Sequence, residues 1–210
     1  MKPGARLSRA FFCRRATEVA RDLIGAFLYR RLSDGRRVGG RLVEVEAYLG
    51  DGSDPSAHSY RGATARNRTM FGPPGRLYAY RSYGMHTCVN VVCEPAGVGA
   101  AVLLRALEPT GDLAAMRELR GLGLDAPARS LARGPGRLGQ AMGFTLEHDG
   151  TSLLRGTVSL HAAAADRARP RVLCGPRVGI TRAADLPYRF YEAGSSWVSP
   201  FRPGKPRKRR

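Results

Sequence analysis

The run RLVEVEAYLG, residues 41–50, alternates apolar and polar side chains, and a period of two marks a strand with two unlike faces. Val43, Val45 and Ala47 fall on one face, which predicts the core side. Leu42, Glu44, Glu46 and Tyr48 fall on the other, with same-face neighbours ~6.6–6.8 Å apart. The two carboxylates are out of keeping with a chain that carries 35 Lys and Arg against 17 Asp and Glu. A solvated polar face, with the glutamates paired to nearby arginines, is the plain reading. Two neighbours count against it. Tyr48 follows on the same face, and a long Gly/Pro/Arg-rich segment leaves the strand's end.

The flanking sequence supplies partners for this strand. AFLYRRL and RRVGGRLVEVEAYL predict a hairpin turning at Ser33-Asp34-Gly35. RLYAYRSYGMHTCVNVVCE predicts a second hairpin with its turn near Ser82-Tyr83-Gly84, and AAVLLRALEP a further strand. TEVARDLIG reads as a short helix capped by Thr17 and ended by Gly25. TGDLAAMRELRGL reads as another helix, and GPGRLGQAMG places Pro135 at a first helical position. Residues 50–76 predict a loop longer than a compact domain usually carries without a use for it. Thr157 to Pro200 alternates short strands with turns. With no internal repeat and no linker, the chain predicts one domain over residues 1–200 and a basic, disordered tail over 201–210.

The net charge is +18, of which six charges lie in the last nine residues, RPGKPRKRR, leaving +12 for the rest. Such an excess attracts polyanions by releasing their counterions. Arginine-rich composition without function is the competing explanation. Nucleic acid fits better than a membrane surface, because no basic amphipathic helix is present and no run of about 18 apolar residues occurs. No long apolar stretch follows the N-terminal charges, which predicts no secretory signal. Cys13, Cys88, Cys93 and Cys174 form no C-x-x-C pair and, with four scattered histidines, no zinc spacing; free thiols in a reducing cytoplasm are the expectation. Lysine occurs at positions 2, 205 and 208, so residues 3–204 contain none.

Candidate functional side chains gather around the two hairpins. Tyr78, Tyr80 and Ser82 share a face, and Tyr83 stands at the tip, where an aromatic can wedge between stacked bases. Asn90 lies within the apolar run CVNVV and Arg105 within VLLRAL, so each needs a partner if buried. Arg105 paired with a glutamate for structure alone is one outcome. His58, in SAHSYRG, has no metal-binding companions and suits stacking or hydrogen bonding. Together these residues predict an aromatic-walled pocket with a carboxylate at one end, set in a cationic surface. An enzyme that extrudes a nucleotide and acts on its base–sugar bond needs such a pocket.

VEVEAYLG…AHSYRGATARNRTMFGPPGRLYAYRSYGMHTCVNVV, followed by AVLLRALEP, resembles the alkyladenine (3-methyladenine) DNA glycosylase family of the mammalian and bacterial type. The likeness continues at GPGRLGQAMG, GPRVGI and RFYEAGSSWVS, and covers most of residues 8–199 apart from segments near 121–130 and 159–174. It implies a mixed α/β (α+β) domain around a curved antiparallel sheet with a protruding β-hairpin and flanking helices, with no metal or organic cofactor. It implies that Glu46 is the general base that orients water, and that Arg105 lies beside that water and the target phosphate. By the same resemblance Tyr48, His58 and Tyr80 sandwich the flipped base, Asn90 guards the pocket floor, and Tyr83 is the DNA wedge. Glu44 matches the family pattern without an assigned role, and His86 stands where relatives more often have an aromatic. The implied activity releases alkylated or deaminated purines from double-stranded DNA and leaves an abasic site. The expected enzyme is a monomer without membrane contact, in the bacterial cytoplasm at the nucleoid or in a eukaryotic nucleus. A carbohydrate glycosidase also uses paired carboxylates but leaves the charge unexplained. A non-catalytic nucleic-acid-binding protein explains the charge but not the Glu-Tyr pocket.

Overall fold

The alternating runs become neighbours in one open antiparallel sheet in the computed structural model, which describes residues 3–82, 84–164, 166, 168–201, 203 and 204. Among them the strands are β1 (Pro3–Arg6), β2 (Phe27–Arg31), β3 (Arg37–Tyr48), β4 (Leu77–Ser82), β5 (His86–Cys93), β6 (Ala100–Pro109), β7 (Val158–Ala163), β8 (Val172–Gly175) and β9 (Arg189–Glu192). Their order is β1-β7-β2-β3-β6-β5-β4, with β9 pairing β3 where β2 has ended and β8 pairing β9. Among the described residues four α-helices, α1 (Arg9–Phe12), α2 (Ala16–Leu23), α3 (Leu113–Leu119) and α4 (Pro135–Ala141), complete an α+β fold. Both expected hairpins form, and Pro135 opens α4 as expected. β1 and α1 lie ahead of any element the sequence pattern predicts. The basic tail falls largely outside the described residues, as does Tyr83.

Pleating divides the side chains between two faces. Val45 and Ala47 of β3, Val102 and Leu104 of β6, Val89 and Val91 of β5, and Leu77 and Ala79 of β4 enter the main core. Ala16, Val19, Ala20 and Leu23, one stripe of α2, cover them, with Leu138 and Ala141 of α4. Truncating such a residue, Leu104→Ala for example, costs about 2–5 kcal/mol. The intervening residues of the same strands face a smaller cluster of Met70, Tyr78, Val92 and Ala101, flanked by Phe71 and Tyr80.

Two local expectations are corrected, and one alternative the sequence left open is closed. Helix α2 begins at Ala16 with Arg15 at its cap, so Thr17 is not the cap. The Ala16 N–H instead donates to Glu94 Oε1 at 2.9 Å, a carboxylate brought from the end of β5 to the helix's positive pole. Leu42 joins the same core as Val45 and Ala47, because the β3–β6 register shifts between Leu42 and Val45 and reverses the alternation there. Finally, the face that carries Glu44 and Glu46 is not solvated: both glutamates are fully buried.

α4 approaches the hairpin closely. A Cβ on Gly139 would stand 2.0 Å from the Thr87 carbonyl oxygen, so only glycine lets helix and strand meet there.

Candidate active site

Register alone lines up the centre of the site. Glu46 pairs with Leu103, Leu103 with Asn90, and Asn90 with Tyr78, one row across β3, β6, β5 and β4 on the face opposite the main core. Beside this row stand Tyr48, Arg105 and Tyr80, each two residues along its own strand. The long segment after β3 closes one side with His58 and Met70, and Val178–Ile180 close another. The result is a cavity of about 450 Å³, a size suited to a small planar ligand.

Glu46 is held at three points. Its Oε1 accepts from the Val178 N–H at 2.6 Å, and its Oε2 accepts from the Tyr48 hydroxyl at 3.0 Å and from Arg105 Nη1 at 3.2 Å. Burial pushes the Glu46 carboxyl up, and Arg105 and the two other donors offset this only in part. Glu44 is equally buried, and burial again acts to raise its carboxyl. Arg105, Arg189 and hydrogen bonds from Ser199 outweigh that and hold it below the ordinary value. Arg105 joins the two: its Nε donates to Glu44 at 3.0 Å while its Nη1 reaches Glu46. The structural pairing considered for Arg105 is therefore present, with Glu44, while the same guanidinium lines the cavity.

The aromatic wall is a cluster. Tyr78 and Tyr80 stack with centroids 5.5 Å apart, and His58 meets Tyr80 edge-on at 4.6 Å. His58 Nδ1 lies 3.0 Å from the Tyr78 hydroxyl, which fixes the imidazole at the pocket mouth. Burial and the nearby Arg66 lower the His58 imidazole, so it is neutral at pH 7. Burial pushes the Tyr78 phenol up to about 12 and those of Tyr80 and Tyr48 up as well, so all three keep their protons. Asn90 is buried, with its Nδ2 3.5 Å from the Tyr78 carbonyl oxygen, and its amide lines the cavity floor.

Six of the seven side chains singled out from sequence, Glu46, Arg105, Tyr48, His58, Tyr80 and Asn90, line or adjoin this one cavity. The seventh, Tyr83, lies outside the described residues. Its neighbour Gly84 turns with φ +70°, and Met85 beside it is 72% exposed. His86 faces α4, where a Cβ on Gly136 would come within 2.9 Å of its ring. Two contributors were named from sequence without a role, and a third was missed. Tyr78 sat in plain view as the same-face neighbour of Tyr80. Glu44 was seen but given no role. Val178 acts through a backbone N–H, which leaves no trace in residue type.

Arg66 and Arg81 reach the mouth of the cavity, and Arg61 and Arg182 line an adjoining notch; all four are exposed. None of them forms an ion pair among the described residues. Among those residues, no group of three or more His, Cys, Asp or Glu could hold a metal ion, and no helix is long and apolar enough to cross a membrane.

A base-sized aromatic pocket with a buried carboxylate and an arginine rim defines a class of enzyme that works on nucleic acid. Residues 10–196 match the family described as methylpurine-DNA glycosylase (MPG), and the chain belongs to that family. It is 51% identical over 199 residues to a protein of Rhodopseudomonas palustris, covering 95% of this chain and 93% of that one. It is 51% identical over 195 residues to a protein of Methanoculleus marisnigri (92% and 98%) and 50% identical over 198 residues to one of Burkholderia lata (94% and 92%). All three bear the provisional name 3-methyladenine DNA glycosylase.

Proposed function

We propose that the chain is a monofunctional 3-methyladenine DNA glycosylase that takes alkylated or deaminated purines out of double-stranded DNA. The observation that carries this reading is the buried Glu46 carboxylate beside a base-sized aromatic pocket. The flipped purine stacks between Tyr48 on one side and His58 and Tyr80 on the other, with Asn90 against its edge. Tyr83 at the hairpin tip fills the gap in the duplex, and the exposed arginines hold phosphates.

Glu46 then accepts a proton from a water that attacks C1′ of the sugar. The C1′–O bond forms as the C1′–N bond breaks, and the electron pair leaves with the base. A purine alkylated on a ring nitrogen is already cationic and departs neutral. Positive charge develops on the sugar as the bond breaks, and the carboxylate stabilises it. Arg105 holds Glu46 in place and faces the sugar–phosphate. The product is an abasic site in an unbroken strand. The enzyme works as a monomer in the compartment that holds the DNA, the bacterial cytoplasm or a nucleus. The test is release of free base from a duplex carrying 3-methyladenine or hypoxanthine, followed by chromatography. Binding without release would leave a nucleic-acid-binding protein.

A further inference from the structure

Behind Tyr48 lies an ion pair with no surface exposure. Arg177 donates from Nη1 to Asp54 Oδ2 at 2.6 Å and from Nη2 to Asp54 Oδ1 at 2.8 Å, and both side chains are wholly buried. The same Nη1 donates to the Ala47 carbonyl oxygen at 3.0 Å, at the end of β3. The guanidinium carbon sits 4.6 Å from the centroid of the Tyr48 ring, while Arg177 itself does not line the base pocket. Asp54 is tied in turn to the backbone: its Oδ2 accepts from the Leu49 N–H at 3.2 Å and its Oδ1 from the Ser56 N–H at 3.1 Å. The next residue after Arg177 is Val178, whose N–H lies 2.6 Å from Glu46 Oε1. One ion pair therefore ties together the end of β3, the start of the long segment that carries His58, and the strip that touches Glu46.

Stability alone is a weak reason for this arrangement. A buried ion pair gains little over well-packed apolar side chains of the same volume, and here the Arg177 Nε is buried without a partner among the described residues, an added cost. The geometry has a different consequence.

We propose that Asp54–Arg177 is a positioning pair for the base-excision site: it fixes the Tyr48 ring from the side away from the pocket and holds the Val178 N–H on Glu46. This rests on the glycosylase reading for its effect on rate, but not for its effect on Glu46. The Val178 N–H favours the ionised carboxylate. Losing it therefore raises the pH at which Glu46 gives up its proton. The other titratable or charged groups around Glu46 are Arg105 on β6, Glu44 and Tyr48 on β3, Tyr80 on β4, Arg189 on β9 and Arg177 itself, whose lost charge also acts to raise Glu46 in the double variant but not in Val178→Pro.

The test uses two variants of the full chain. The double variant Asp54→Asn/Arg177→Met removes both charges together, and Val178→Pro removes the N–H with both charges left in place, its ring also fixing φ and taking the N–H's place against Glu46. The Glu46 titration is followed by carbon NMR of labelled glutamate, and base release from a hypoxanthine-containing duplex is measured across pH. In both variants the Glu46 titration is expected to move up by about one pH unit, the size of a lost hydrogen bond to a charged group. The acidic limb of the base-release profile moves with it. In the double variant the single-turnover rate at the plateau also falls by roughly ten- to a hundredfold, as the loosened Tyr48 misplaces the base. A folded double variant with an unmoved Glu46 titration overturns the proposal, as does a rate loss equal at every pH. If the double variant does not fold, Val178→Pro decides: an unmoved titration there overturns the proposal. Wild-type protein that releases no base overturns the glycosylase reading, and the titration still decides this one.

Discussion

Arg105 Nη1 lies 3.2 Å from Glu46 Oε2 while the Nε of the same guanidinium lies 3.0 Å from Glu44 Oε1. One cation thus serves two carboxylates two residues apart, and it does not serve them equally. Glu44 also receives Arg189 at 2.7 Å and both the N–H and the hydroxyl of Ser199, so it is a saturated anion. Glu46 has a share of one arginine and two neutral donors, and burial prevails. Of the two carboxylates, Glu46 is the one raised above its ordinary value, and Glu44, which shares Arg105 with it, is held below.

Replacing each glutamate by glutamine separates the two roles. Glu46→Gln keeps the shape but cannot accept a proton, so single-turnover base release falls by roughly 10²–10⁴-fold while binding to damaged duplex persists. Glu44→Gln removes an anion facing two buried arginines, so its signature is lowered thermal stability. A larger rate loss in folded Glu44→Gln than in Glu46→Gln would exchange the assignments.

The acid side of the pH profile follows from burial. A general base works ionised, and the Glu46 carboxyl is raised, so activity is lost as pH falls through that raised value. The acidic limb is therefore expected above the ordinary glutamate value of about 4.3. A limb at or below that value, in single-turnover rates, would place proton transfer on another group.

Tyr78→Phe removes the hydroxyl that holds His58 while leaving the stack with Tyr80. The net value of such a hydrogen bond corresponds to roughly two- to tenfold in base capture. Fluorescence of a flipped base analogue measures it. Wild-type capture in this variant would mean that the ring contact with Tyr80 alone orients His58.

Phosphate contacts through the arginine rim make binding salt-dependent. Log affinity for duplex DNA is expected to fall linearly with log salt, with a slope of about −0.9 per phosphate contacted. Removing residues 201–210 lowers the slope only if the tail touches DNA. An affinity that ignores salt would contradict binding through the charged surface.

Strand cleavage by a glycosylase needs an amine that attacks C1′ and forms a Schiff base. Residues 3–204 hold no lysine, so borohydride reduction during turnover is expected to trap no protein–DNA adduct. An adduct that disappears when the N-terminus is blocked would show that the terminal amine, in place of water, attacks the sugar.

Period two was enough to find the strands of the two hairpins and β6, because a pleated strand exposes its faces alternately whatever it pairs with, whereas the short β1 carries no such signal. The period was not enough to say what lies on each face. Leu42 was misplaced because a register shift is a property of two strands, β3 and β6. Thr17 looked like a cap because capping is read locally, whereas the helix takes its acceptor from Glu94, 78 residues away. The meeting of Glu46, Tyr48, His58, Tyr80, Asn90 and Arg105 at one pocket was legible from residue type and resemblance.

By itself, the sequence determined the two hairpins and most of the strand pattern, the excess of positive charge, the absence of lysine from residues 3–204, and the side chains that meet at the pocket. Tertiary structure decided how those side chains differ. Glu44 and Glu46 are the same residue on the same strand face, and only their surroundings separate a saturated anion from a carboxyl raised by burial. Desolvation and hydrogen bonding depend on what other segments bring: Ser199, Arg189 and the Val178 N–H arrive from residues more than 130 positions further along the chain. The physical reason is that a carboxylate's proton affinity is set within a few ångströms of its oxygens, and chain folding, not chain order, fills that space.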